Sequence, residues 1–167
     1  MKLTDLLTQK KSRIVDGWLR VIYESYPPET AIFLKKEKDR FDNPVGISTA
    51  DGIKALYEAL LVEMETDRVL AALDEIIRIR AIQDFSPSQA LAFIFLLKNV
   101  IREELAKELR AGDLAAELLE LESRIDGLAL LGFDVYTKRR EKLHEIRVNE
   151  IKNRVSGLMR RTGLDLS

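Results

Sequence analysis

Arg78–Lys98 reads RIRAIQDFSPSQALAFIFLLK, and the fold turns on this stretch. Ser86-Pro87-Ser88-Gln89 carries the signals of a helix start. Ser86 can cap, Pro87 suits the first helical position, and Gln89 stands three residues after the cap, where its side chain can reach back. The eight residues Ala90–Leu97 are all apolar. A helix apolar on every side is buried on every side, so this reads as a central helix, or one whose outer face another subunit covers. It is far short of the ~20 residues that span a bilayer.

Upstream lies a second helix, about Asp67–Asp84. At about 100° per residue, Val69, Leu73, Ile76 and Ile77 define its inner face. Arg80 falls near the middle of that face and Arg78 on the opposite side. A buried, unpaired charge costs several kcal/mol, so Arg80 must have a partner. The expected partner is Asp84, one turn on, or a glutamate from another helix. The sharper alternative is the acidic head of a bound ligand or a partner's carboxylate.

Helical periodicity extends outward in both directions. Thr4–Ser25 carries Leu7, Ile14, Val15, Trp18 and Ile22 at helical spacing, and Pro27-Pro28 ends it. A short helical piece, Thr30–Lys38, follows. RFDNPVGIST has no period and reads as a loop. Ser48 or Thr49 then caps a helix to about Glu65, with Ile53, Leu56, Tyr57, Leu60, Leu61 and Met64 on one face. After the octet the helix continues to Arg110, with Gly112 as its stop. Asp113–Arg161 contains no proline; as one helix it is ~70 Å long, and Gly127 and Gly132 mark close packing or a bend. Val148, Ile151, Val155 and Leu158 fall in 3-4-3 spacing, with His144 four residues earlier, as in a short coiled-coil seam.

Composition narrows the function classes. The 167 residues carry 27 Lys+Arg and 28 Asp+Glu, a net charge of -1, which argues against a general nucleic-acid binder. Lys138–Arg161 is locally basic, with nine basic and three acidic residues. Glu150 is spaced to pair with Arg147 and Arg154, as on a solvated face, and the interleaved apolar residues point to a partner helix. There is no cysteine, which excludes disulfides and thiolate metal sites and permits a reducing compartment. The amino terminus lacks the apolar run of a signal peptide. The expectation is a soluble cytoplasmic protein, all-α, forming a single domain with a core of about 4–137 and a basic helical extension of about 138–161.

No catalytic or metal constellation can be completed. Glu141 and His144 form one Glu-x-x-His pair, but a di-iron bundle needs two, and His144 is the single histidine. The same shortage denies His144-Glu145 the HExxH zinc motif, and Ser86 and Ser88 a base. There is no Walker A loop and no dinucleotide fingerprint. The residues therefore predict a non-enzymatic protein with no catalytic residue, no metal and no cofactor.

Five stretches together resemble one family. They are NPVG (Asn43–Gly46), IIRIRAIQDFSPSQALAFIFLLK (Ile76–Lys98), IREEL (Ile101–Leu105), ESRIDGLAL (Glu122–Leu130) and EKLHEIRVNEIKNR (Glu141–Arg154). They resemble the RsbT co-antagonist N-terminal sensor domain of the RsbRD type, over about Trp18–Arg161. The resemblance implies a globin-like helical fold without haem, dimerised through its last two long helices, in the stressosome type of stress-response signalling. The helix that would hold a globin's proximal histidine, Asp67–Asp84, has no histidine, which also disfavours haem. Members usually precede an output domain. With the sequence ending at Ser167, the expectation is that any signal passes to an unidentified signalling protein by binding. The homodimer or partner interface is expected at Phe95, Leu128, Phe133, Val148, Ile151, Val155 and Leu158. Related sensor domains hold fatty-acid-like ligands, so an apolar ligand beside Arg80, Tyr57, Met64 and Phe93 is the alternative.

Overall fold

The computed structural model describes residues 1–62 and 65–163. Among them the elements are α1 (Leu3–Gln9), α2 (Lys11–Tyr23), α3 (Pro28–Lys36), α4 (Pro44–Leu61), α5 (Thr66–Ile82), α6 (Pro87–Glu104), α7 (Ala106–Ala111) and α8 (Ala115–Thr162), with no strand. The fold is all-α with one long carboxy-terminal helix, as the periodicity predicts. At its centre α5 packs between α4 and α8, while α6 packs against α2 and α8. One core joins them, with Trp18, Tyr57, Ile77, Phe93, Ile94 and Leu128 all buried. The indole N–H of Trp18 donates to the Phe93 carbonyl at 2.7 Å, so the largest core side chain leaves no orphaned donor.

The first helix expected from the sequence is two. Lys10 breaks it (φ -98°, ψ 13°), and its ammonium reaches the Glu104 carbonyl at 2.7 Å and the Glu108 carboxylate at 2.7 Å. The kink lets α1 fold Leu3, Leu6 and Leu7 onto the core. The short piece after the prolines starts at Pro28 itself, which takes the first helical position.

The segment read as a loop is a helix start. Asn43, 1% exposed, is the N-cap of α4 and Pro44 its first residue. The Asn43 amide accepts from the Gly46 N–H at 2.9 Å and donates to the carbonyls of Leu34 at 3.0 Å and Glu37 at 2.9 Å. One side chain thus ends α3 and begins α4. A Cβ on Gly46 would strike that amide, so the glycine is required by close approach. Ser48 and Thr49 lie inside α4 rather than capping it. The helix ends at Leu61, and Glu65 caps α5.

Ser86 behaves as expected. It accepts from the Gln89 N–H at 3.3 Å, while the Gln89 side chain accepts from the Ser86 N–H at 3.0 Å. Before it, α5 closes with Asp84 in the left-handed region (φ 57°) and the Phe85 N–H bonding back to the Arg80 carbonyl. This is a Schellman-type stop with an aspartate where glycine is usual.

The octet is one-sided rather than buried all round. Ala90, Leu91, Phe93, Ile94 and Leu97 face the core, while Phe95 and Leu96 face outward. The expected helix to Arg110 stops at Glu104, because the turn at Leu105 drives that side chain inward and α7 restarts beyond it. Gly112 ends α7 in an extended conformation. Finally, α8 runs 48 residues without interruption, ~72 Å at 1.5 Å per residue. At Gly132 an added Cβ would lie 2.9 Å from Ile94, so that glycine allows close helix packing; at Gly127 it would meet nothing within 4 Å.

Candidate functional site

Arg80 is 2% exposed, as its helical position predicts, yet among the described residues no carboxylate meets it. Asp84 turns outward to Arg140 at 3.1 Å, because the left-handed backbone at Asp84 carries its side chain away from α5. The expected ion pair is therefore absent. Instead one guanidinium nitrogen of Arg80 donates to the Ser25 hydroxyl and the Gln89 carbonyl, both at 3.0 Å. Three rings surround the cation, with centroids 4.4 Å (Phe85), 5.6 Å (Tyr26) and 5.8 Å (Phe93) away. Nε and Nη1 have no hydrogen-bond partner among the described residues. Burial lowers the Arg80 pKa, and burial raises that of Tyr26, partly offset by Arg80 itself. The cation rests on aromatic faces, an arrangement that periodicity cannot show because the rings come from the α2–α3 turn, the α5–α6 junction and α6.

The other residues expected around a ligand are not grouped. Tyr57 is buried away from this cage, donating to the Leu7 carbonyl at 3.0 Å, and burial raises its pKa. Phe93 is core, serving both Trp18 and Arg80. Met64 lies outside the described residues. A surface cavity of about 210 Å³ opens beside the cage, lined by Tyr26, Phe33, Leu34, Asn43 and Gln83 among others. Tyr26 separates it from Arg80, its hydroxyl donating to Gln83 at 2.8 Å.

A second feature is the outer face of α6 and α8. Phe95 is 50% exposed and Phe133 51%. With Pro87, Leu91, Ala92 and Leu96 they line an apolar groove of about 530 Å³. Leu130, one turn before Phe133, extends the patch. Leu128 differs from its neighbours, since it is fully buried in the chain's own core.

Two stretches quoted for the family resemblance meet further along the same two helices. Arg102 of IREEL donates through Nε and Nη2 to both oxygens of Glu122 of ESRIDGLAL, at 2.7 and 2.8 Å. The pairing raises the Arg102 pKa. Lys98 adds a contact to Asp126 at 2.6 Å. The sequence reading missed this lock, since neither stretch shows its partner. Further along, the Tyr136 hydroxyl donates to the Phe85 carbonyl, Arg139 pairs with Asp74, and Arg140 reaches the Ala81 carbonyl as well as Asp84. These fix α8 to α5 as far as Arg140.

Beyond Leu143 no described residue of α8 is buried, and Val148, Ile151, Val155 and Leu158 are 47–60% exposed. The pairing of Glu150 with Arg147 and Arg154 that the spacing suggests does not form: among the described residues no ion pair includes them. Among the described residues no cluster of three metal-ligating side chains occurs, and no helix is long and apolar enough to cross a membrane.

No curated protein and no solved structure that was compared matches the chain. The model of the RsbT co-antagonist protein rsbRD N-terminal domain matches residues 12–151, from the second helix into the projecting part of the last. The match takes in the caps at Asn43 and Ser86, the Arg80 cage and the Arg102–Glu122 lock, and on it the chain belongs to the RsbT co-antagonist protein rsbRD N-terminal domain family.

Proposed function

We propose that this chain is a non-enzymatic signalling module of the stressosome type, globin-like and without haem, acting by homodimerisation and by binding a further protein. The observation that carries the reading is the apolar face shared by α6 and α8. Phe95, Leu96, Leu130 and Phe133 stand exposed on these two helices, which the Arg102–Glu122 and Lys98–Asp126 pairs hold together. Large exposed aromatics grouped in this way mark association surfaces. A two-fold dimer places the face against its own copy, which α6 and α8 can do side by side. Sedimentation velocity at micromolar concentration tests it. The expected result is a dimer that Phe95→Glu with Phe133→Glu converts to a folded monomer. A native chain that sediments as a monomer refutes it.

A second reading has one specific observation behind it: the Arg80 guanidinium, whose Nε and Nη1 have no partner among the described residues, lies behind Tyr26 and its cavity. A fatty-acid-like carboxylate would reach Arg80 if Tyr26 swung aside, its chain lying along Phe33 and Leu34. Native mass spectrometry and thermal shift with fatty acids of stated length test it. A clean apo mass with no shift rejects it.

A further inference from the structure

The distal part of α8 shows an apolar seam with a one-signed border. Reading the 3-4-3 spacing as a heptad puts Val148 and Val155 at the a positions, and Ile151 and Leu158 at d. Branched residues at a with leucine or isoleucine at d suit two-helix pairing. The residue before each a position, which flanks the seam, is Arg147 or Arg154; the flanking residue on the other side, after Ile151, is Lys152. All three are exposed, and among the described residues none is held in an ion pair of this chain.

A second copy fits this border badly. In a parallel pair Arg147 faces Lys152 of the other helix; in an antiparallel pair the arginine borders face one another. Either register sets like charges against the seam, which is how coiled coils reject a partner. An anionic membrane would accept the charge, but the seam offers small and medium aliphatic side chains with no aromatic residue to anchor it, and Glu145 and Glu150 interrupt its polar face.

We propose that the seam from Val148 to Leu158 docks an acidic amphipathic helix of another protein, with carboxylates at both of its flanking positions. This deepens the reading of the chain as a protein-binding module. It is independent of the dimer face, from which Asp134, Thr137, Glu141 and His144 separate the seam along the same side of α8.

The test uses the full chain and two synthetic helical peptides with identical Val/Leu seams, one flanked by glutamates and one by lysines. Fluorescence anisotropy at low salt is expected to show binding of the acidic peptide and not the basic one. Arg147→Glu with Arg154→Glu should weaken the acidic peptide about ten-fold or more and admit the basic one, with circular dichroism unchanged. Binding of both peptides alike, binding of neither, or co-sedimentation with phosphatidylserine vesicles without peptide binding each overturns the proposal. So does a native dimer that Val148→Asp with Val155→Asp takes apart, because the seam would then be homotypic. A chain that is monomeric but still selects the acidic peptide would sink the dimer reading and leave this one standing.

Discussion

Replacing Arg80 by methionine separates a cation that holds the fold together from one kept for another reason. The native guanidinium gains two hydrogen bonds and three ring contacts. Hydrogen bonds from a charged group contribute ~1.5–3 kcal/mol each, and a desolvated cation–π contact reaches ~2 kcal/mol. Against this stand several kcal/mol for taking the ion out of water and ~1–3 kcal/mol for each unbonded buried donor; Nε and Nη1 are two such donors. The terms nearly cancel. Methionine fills similar length and packs on rings through its sulfur. It leaves no new orphan, because the Ser25 hydroxyl still donates to the Ile22 carbonyl and the Gln89 carbonyl keeps its helical N–H. Arg80→Met should therefore stay within ~1.5 kcal/mol of the native chain, a few degrees in Tm for this size. Arg80→Ala, which opens a void between Tyr26, Phe85 and Phe93, should lose ~3 kcal/mol or more. Urea unfolding followed at 222 nm measures both. If Arg80→Met falls as far as Arg80→Ala, the charge itself stabilises the core, and the cancellation argued above is wrong.

Other outcomes follow from single contacts. Asn43→Ala removes the hydrogen bond that caps α4 and two that tie it to the end of α3 and should cost ~2–3 kcal/mol; a loss under half that would mean the two helices are positioned by apolar packing alone. Gly127→Ala, with open space around it, should add ~0.5–1 kcal/mol of stability, whereas Gly132→Leu should lose at least ~1–3 kcal/mol by overpacking; equal effects in thermal melts would contradict the close crossing at Gly132. Glu58 is held below the usual carboxylate range chiefly by the hydrogen bond from Lys11. Its contribution is present at neutral pH, above the unfolded value, and is lost as pH falls through the lowered folded value. The pair is partly exposed, so only ~0.5 kcal/mol is at stake. The Tm difference between the native chain and Lys11→Met should be small at neutral pH and close below the carboxylate range; a gap that widens in acid would reverse the sign.

How much was legible depended on whether the signal was local. Ser86, Pro87 and Gln89 sit within one turn, so their chemistry names the helix start without any tertiary information. Asn43 and Pro44 carried the same kind of signal, but the apolar period behind them is broken by Gly46 and Ser48, and the turn-rich composition outweighed it. The break at Lys10 had no local cause; it exists because α6 and α7 offer a carbonyl and a carboxylate to one ammonium. The octet looked buried on all sides because composition records only apolarity. How many neighbours a helix has is a property of the packing, and α6 has them on one side.

The sequence by itself determined that the fold is all-α and that a helix starts at Ser86, that Arg80 points inward and Arg78 outward, and that Val148 to Leu158 form a stripe, since helix geometry converts spacing into direction. Only the tertiary structure decided what each direction meets. It gave Arg80 three rings and a hydroxyl instead of a carboxylate, joined Arg102 to Glu122 across twenty residues, buried Leu128 and left Phe95 and Phe133 outside. Those outcomes depend on contacts between residues far apart in the chain, and periodicity within one helix carries no information about the surface of another.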